Sequence, residues 1–390
     1  MDRAQATKLL TVLLERLVSE GGSDLFITSG FPPAIKHDGQ ISPLMERALT
    51  HEQSALIVRS IMNDRQAREF DEFKECQFAI SPPSGRFRVS AFVQQGRVGA
   101  VMRVINTEIP DFDELGLPPV LKDVVMSERG LVIFAGATGS GKSTSLAAML
   151  GHRNNNSAGH IITIEDPIEF VHPHRKSIVT QREVGVDTQS WDNALKNTLR
   201  QAPNVILVGE VRTRETMEYA INFAETGHLV LCTLHANSSN QALDRIINFF
   251  DDAKREQLLM DMSLNLRALI SQRLVRKTGG GRVAATEILL NTPHVADMIF
   301  KGKVGELKEV MARGNEQGMI TFDQSLFQLF ETGEIDMTEA LRHADSQNEL
   351  RLNVKLNSTR ARQNLTDDPG VNALSMHAQD EETDEGVSRP

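Results

Sequence analysis

The sequence predicts an α/β fold: a P-loop domain of buried parallel strands and helices, preceded by a smaller N-terminal α+β domain. Three observations predict it. Short apolar runs at 131–135 (LVIFA), 160–164 (HIITI), 204–208 (NVILV) and 229–233 (LVLCT) alternate with helical stretches, and runs of that length bounded by turn residues read as strands buried on both faces. The stretch Gly136 to Ser143 follows the first run directly and reads as a phosphate-binding loop. A length of 390 residues leaves room for about two or three domains.

The elements follow in order. Leu9, Leu10, Leu13, Leu14 and Leu17 recur at helical spacing, which predicts a helix over 4–19. Lys8, Glu15 and Arg16 interrupt its apolar run and no small-residue cleavage site follows, so it reads as amphipathic rather than as a signal peptide. Gly21-Gly22-Ser23-Asp24 is a turn, 25–28 a strand, and 34–36 a second strand running into the Asp38-Gly39 turn. Helical periodicity covers 51–73. Two β-rich runs, 86–93 and 98–105, flank Gln95-Gly96 and predict a hairpin. Pro110, Pro118 and Pro119 then exclude long helix and central strand. After the alternating segment, 240–357 reads as mostly helical with one strand over 282–290. The last stretch carries Asp367, Asp368, Asp380, Glu381, Glu382, Asp384 and Glu385 with few large apolar groups. Too little apolar surface is available there to offset the entropy of ordering, so disorder is expected. The expected division is therefore 1–106, a linker 107–119, 120–357, and an acidic tail 358–390.

The phosphate loop is complete: Gly136, Ala137, Thr138, Gly139, Ser140, Gly141, Lys142 and Ser143, with Thr144 entering the helix behind it. Its glycines let backbone N–H groups turn inward around phosphate oxygens, and the helix N-terminus adds a favourable field. Lys142 is placed to reach the outer phosphates, and the Ser143 hydroxyl to hold Mg²⁺. Such a loop needs an acid from a second strand. Two strand ends offer one: Val205 to Val208 followed by Gly209-Glu210, and Ile161 to Ile164 followed by Glu165-Asp166-Pro167. Parallel strands of such sheets present ligand-facing groups at their C-terminal edge. His228 and His235 bracket the run 229–233. By position alone, a lone histidine such as His235 is more often a hydrogen-bonding loop residue than a catalyst.

Lys plus Arg number 42 against 52 Asp plus Glu, a net charge of −10. That balance argues against a protein that coats nucleic acid but leaves room for a local basic pocket. Cys76 and Cys232, the only cysteines, cannot build a disulfide framework or a four-cysteine zinc site, and they suit a reducing cytosol. No apolar run approaches the ~18–20 residues of a membrane span.

Four stretches together resemble the Walker A, Asp box, Walker B and His box of the secretion and type IV pilus ATPase superfamily: Gly136 to Thr144, Thr163 to Glu169, Val205 to Arg212, and Gly227-His228 through Asn237. Gly22 to Leu25, Pro32-Pro33 and Gln181 to Thr188 are similar to its retraction branch. The resemblance covers about residues 5–357. It implies a PAS-like N-terminal domain, a RecA-like ATPase domain, and a homohexameric ring at the cytoplasmic base of a pilus machine, peripheral to the inner membrane and its platform protein. It further implies ATP and Mg²⁺ as ligands, held by the loop and by Ser143 and Glu210. Glu165 becomes the general base, and Glu210 the organiser of water or metal. Lys142 contacts phosphate, and His228 and His235 become nucleotide-linked. Arg88, Arg97 and Arg103 become candidates for the phosphate-contacting arginines that the family supplies from its small domain.

Departures refine the branch. The four-cysteine zinc element usual in assembly and secretion members is missing from the sequence. PilT-type motors carry an Ala-Ile-Arg-Asn-Leu-type helix, where this chain has Ala296-Asp297-Met298-Ile299-Phe300, and Thr213 follows Arg212 where they have Asp. The resemblance then implies a motor that assists pilus retraction and twitching motility beside a PilT-type ATPase, with Met298 removing a charge from a docking surface. Two other readings compete: an ATP-binding adaptor docked on a PilT-type ring, and a RecA-like nucleic-acid motor, which the acidic charge disfavours.

Overall fold

The computed structural model describes residues 1–37, 39–105 and 108–361. The Asp38 half of the predicted turn, the boundary at 106–107 and the tail from 362 onward lie outside the described residues. The chain gathers into two compact units. One comprises Met1–Glu114, Val125–Gly130 and Ser143–Cys232; the other comprises Leu115–Val124, Leu131–Lys142 and Thr233–Pro390.

The first unit opens with a helix at Arg3–Ser19, capped by a reciprocal Asp2–Gln5 box. Strands β1 (Asp24–Ile27), β2 (Ala34–His37), β3 (Gln40–Pro43), β4 (Glu75–Ile80), β5 (Arg86–Gln94) and β6 (Arg97–Ile105) form an antiparallel sheet in the order β3-β2-β1-β6-β5-β4. Leu10, Leu13, Leu14 and Leu17 of the helix pack with Ile57, Phe78, Phe87, Val89 and Met102 in one core. The hairpin falls where predicted. Gln95 and Gly96 both have positive φ, 50° and 73°, the geometry a two-residue turn between twisted strands demands. The helical stretch 51–73 is two helices, His51–Ser60 and Asp64–Phe73. Asn63 divides them because it starts the second with its own capping box to Gln66.

The same unit holds β8 (Gly159–Glu165), β9 (Ser177–Glu183) and β10 (Val205–Val208). β7 (Gly130–Ala135) and β11 (Leu229–Leu234) complete the predicted runs. β10 runs parallel to β8 on one side and to β11 on the other, and β9 runs parallel to β8. In the second unit, β12 (Leu266–Arg276) pairs parallel with β7 and antiparallel with β13 (Arg282–Leu290). β12 corrects the expectation of helix around 266–276. Its Leu, Ile and Val residues mimic helical spacing, yet most of the strand is buried, and burial on both sheet faces overrides local preference.

Helices at Phe322–Glu331, Met337–His343 and Gln347–Asn357 follow β13, with Phe322, Leu326, Phe330, Leu350 and Val354 in their shared core. The first residues assigned to the tail are in fact docked. Ser358 is fully buried, its hydroxyl donates to Glu331 at 2.6 Å, and Arg360 stacks on Phe330 and donates to the Ile335 carbonyl. Composition alone could not locate that anchor, because it is polar.

The helix Pro293–Phe300 carries the departure segment. Val295, Met298 and Ile299 are buried, and Asp297 pairs with Lys301 at 2.7 Å, as helical spacing predicts. Met298 is only 5% exposed. It packs inward beside Val295 and Ile299. Among the described residues no helix is long and apolar enough to cross a membrane.

Candidate active site

The phosphate loop leaves β7, whose six residues are all buried, and enters the helix Lys142–Asn156. Gly139 and Gly141 sit at φ 78° and 86°, conformations that side chains with a Cβ rarely adopt. At Gly136 a Cβ would lie 2.4 Å from Ser140 Oγ and 2.9 Å from the Gln272 carbonyl. At Gly139 nothing lies within 4 Å, so that position faces open space. The Ser140 hydroxyl is buried without a hydrogen-bond partner. Lys142 Nζ donates to the carbonyls of Gly136 and Ala137 at 2.8 and 3.0 Å, and Gln272 Nε2 donates to the Ser140 carbonyl at 2.9 Å. An inward-turned backbone, an orphan hydroxyl and a lysine folded over the loop fit a phosphate chain.

The two acidic strand ends lie side by side. Val208 of β10 is level with Ile164 of β8, so Glu165 and Glu210 emerge at the same edge of adjacent parallel strands. Glu165 Oε1 accepts from Thr163 Oγ1 at 2.6 Å and from Gln181 Nε2 at 3.2 Å. Burial pushes its pKa up to about 7, against the pull of these donors. A carboxylate poised near neutrality suits proton abstraction from water. Glu210 Oε2 pairs with Arg212 Nη2 at 2.6 Å. Asp166 follows Glu165 at the exposed rim.

His235 lines a small recess of about 390 Å³ with Ala137, Ala236, Asn237, Gln241 and Arg245. Arg245 Nη1 donates to the His235 carbonyl at 2.8 Å. The recess therefore joins the phosphate loop to a guanidinium. His228 lies at the other end of β11, seven residues before His235, about 23 Å along an extended strand. Its Nδ1 contacts the Phe223 carbonyl and the Thr226 hydroxyl. Within one chain the two histidines are not brought together.

The small-domain arginines have different partners. Arg88 and Arg103 are in register across β5 and β6. Arg103 Nε binds the nearly buried Asp24 carboxylate at 2.8 Å, and Arg88 Nη2 donates to Gln77 at 2.7 Å. Arg97 starts β6 at the hairpin and is exposed.

The family model described as type II/IV secretion system protein matches residues 1–352. The chain belongs to that family. It is 59% identical to the type IV pilus ATPase PilU of Pseudomonas aeruginosa, over 89% of this chain and 91% of that protein. It is 43% identical to the type IV pilus retraction ATPase PilT of the same organism, over 86% of this chain and 98% of the relative. Among solved structures, the pilus retraction motor PilT with bound ADP matches with a TM-score of 0.82 and 38% identity, covering 87% of this chain and 98% of that one. These likenesses place the chain among the type IV pilus retraction ATPases of the type II/IV secretion system family, with a small N-terminal domain ahead of a RecA-like ATPase domain.

In this family member, several groups that shape the site had no role assigned from the sequence. Thr163 and Gln181 hold Glu165, Arg212 holds Glu210, Arg245 lines the His235 recess, and Gln272 braces the loop. Gln272 and Gln181 stand on β12 and β9, strands the sequence pattern did not reveal. Arg212 and Arg245 could have been noticed, two residues after Glu210 and ten after His235. Only the fold gives them partners.

Proposed function

We propose that this chain is an ATP-hydrolysing motor that assists type IV pilus retraction and twitching motility. It works as a homohexamer at the cytoplasmic base of the machine, beside a PilT-type ATPase and against the inner-membrane platform protein. The observation that carries this reading is the likeness to PilU over nearly the whole of both chains.

In this reading the backbone of Gly136 to Thr144 wraps the phosphates of ATP, and Lys142 exchanges its two loop carbonyls for phosphate oxygens. Mg²⁺, when bound, neutralises charge on the phosphates; the Ser143 hydroxyl and the Glu210 carboxylate would hold it. Glu165 takes the proton of the attacking water. Arg212 keeps the Glu210 carboxylate turned to its post. His235 and Arg245 read the presence of the outer phosphate. Arg97 is the small-domain arginine best placed to reach a neighbouring subunit, because Arg103 is committed to Asp24. His228, at the opposite end of β11 from His235, would be linked to nucleotide through a neighbour.

The test uses the purified full-length chain and a strain that lacks it. Expected are steady-state ATP hydrolysis, a hexamer by light scattering with nucleotide present, and retraction that weakens under load when the gene is deleted. Retraction should stop when the PilT-type partner alone is removed. A fully active monomer overturns the ring, and absent hydrolysis with intact docking on a PilT-type ring favours the adaptor.

A further inference from the structure

The side chains of strand β9 hold the segment that carries Glu165. Gln181 and Glu183 are two residues apart, so they share one face of the strand. Gln181 Nε2 donates to Glu165 Oε1 at 3.2 Å and to the Phe170 carbonyl at 2.9 Å, and Gln181 Oε1 accepts from the His172 N–H at 2.7 Å. Glu183 Oε2 accepts from the Ile168 N–H at 3.2 Å. The amide orientation is dictated by these partners. Its nitrogen faces a carboxylate and a carbonyl, and its oxygen faces an N–H. The flipped amide would set oxygen against two acceptors. Thr163 Oγ1 donates to the same Glu165 oxygen at 2.6 Å, so both side-chain donors converge on Oε1, and the backbone N–H of Glu169 donates to the same carboxylate.

We propose that Gln181 is a positioning residue for Glu165: it fixes the carboxylate by Oε1 and ties residues 166–172 to β9. This rests on the reading of Glu165 as the general base. A carboxylate pinned at one oxygen loses its freedom to rotate, and the reacting geometry is set before substrate arrives. Glutamine suits the post because only a neutral amide can donate to a carboxylate and a carbonyl while accepting from an N–H. The charged groups around Glu165 are Asp166 and Glu169 on its own segment, Arg182 and Glu183 on β9, and Glu210 with Arg212 after β10; none is altered in the test.

The test compares Q181M, E165Q and their double variant in full-length protein. It reads turnover and KM for ATP, and the pH dependence of chemical denaturation without nucleotide. Q181M is expected to lower kcat about 10- to 100-fold, the scale of a displaced catalytic group. KM should stay within about threefold, since binding is not at stake. In the E165Q background Q181M should change kcat no further, because residues that act through one another are not additive. Without nucleotide, loss of the donor disfavours ionised Glu165, so the pH window over which stability declines should extend upward in Q181M and vanish in both E165Q proteins. Equal kcat losses in the two backgrounds, or an inactive E165Q beside a Q181M with wild-type kcat and window, overturn the positioning role alone. Normal turnover by E165Q overturns the base reading and this proposal together. Should Q181M not fold, Q181E sets a second carboxyl 3.2 Å from the first. Two such groups cannot both ionise, so the acid limb of turnover should move to higher pH; an unmoved limb is the refuting result.

Discussion

The N–H of Gly209 donates to the carbonyl of Ile164 at 2.8 Å, and this bond sets Glu165 and Glu210 beside one another. A Cβ at position 209 would lie 3.0 Å from that carbonyl and 3.1 Å from Glu165 Cα. The glycine is thus the reason the two strands keep this approach to their ends.

From that placement follows the behaviour of Glu165→Gln. The amide keeps the shape and cannot take a proton, so kcat should fall about 10²- to 10⁴-fold with KM little changed. In wild-type protein turnover should rise as pH climbs through about 7, because only the ionised carboxylate is a base. Stability should run the other way. Between the ordinary glutamate value and about 7 the folded chain holds a proton that the unfolded chain has lost. That contribution is complete at lower pH and disappears as pH rises through about 7. Denaturation across this range should lose the slope in Glu165→Gln.

Lys142→Ala should abolish turnover. Lys142 gives two bonds to loop carbonyls from a partly exposed position. Their loss costs about 1 kcal/mol, or about 2–4 °C of melting temperature. Calorimetry beside a phosphate-release assay checks both. Remaining hydrolysis near wild type would remove this loop from the site.

Arg103 and Arg97 should part company. Arg103→Ala strips the partner from the nearly buried Asp24 and should lower the melting temperature. Arg97→Ala should leave melting unchanged and reduce hydrolysis only in the assembled ring. A melting loss in Arg97→Ala, or none in Arg103→Ala, would reverse the assignment.

Arg273 stacks 3.8 Å over Phe322, pairs with Asp345 at 2.8 Å, and donates to the carbonyls of His343 and Asn237. It fastens the loop behind His235 to the C-terminal helices. Arg273→Met keeps the volume and loses the bonds. A partly buried ion pair broken on one side should cost about 2–3 kcal/mol, less than the fully buried case, and about 5–10 °C of melting temperature. Thermal denaturation decides it.

Ending the chain after Asn357 removes the buried Ser358 and Arg360 on Phe330, and should lower the melting temperature by several degrees. The Glu331 carboxyl, held down to about 2 chiefly by the Ser358 hydroxyl, should return toward the ordinary value, which NMR titration reads. Ending it after Ala361 keeps the anchor and should leave melting unchanged.

The sequence by itself determined the loop, its flanking strand and helix, and the acids after Ile164 and Val208. Each is a local pattern: glycines where the backbone must turn left, short apolar runs, and an acid at a strand end. The hairpin at Gln95-Gly96 and the apolar face of Val295, Met298 and Ile299 were legible for the same reason. Only the tertiary structure decided what surrounds them. β9 and β12 look ordinary or helical in isolation, and it is strand pairing that turns Gln181 toward Glu165 and Gln272 toward the phosphate loop. His228 and His235 read as a pair along the chain, but an extended strand carries them to opposite edges. Hydrogen-bond partners distant in sequence leave no periodic trace, because their chemistry depends on which strands pair and not on any local preference.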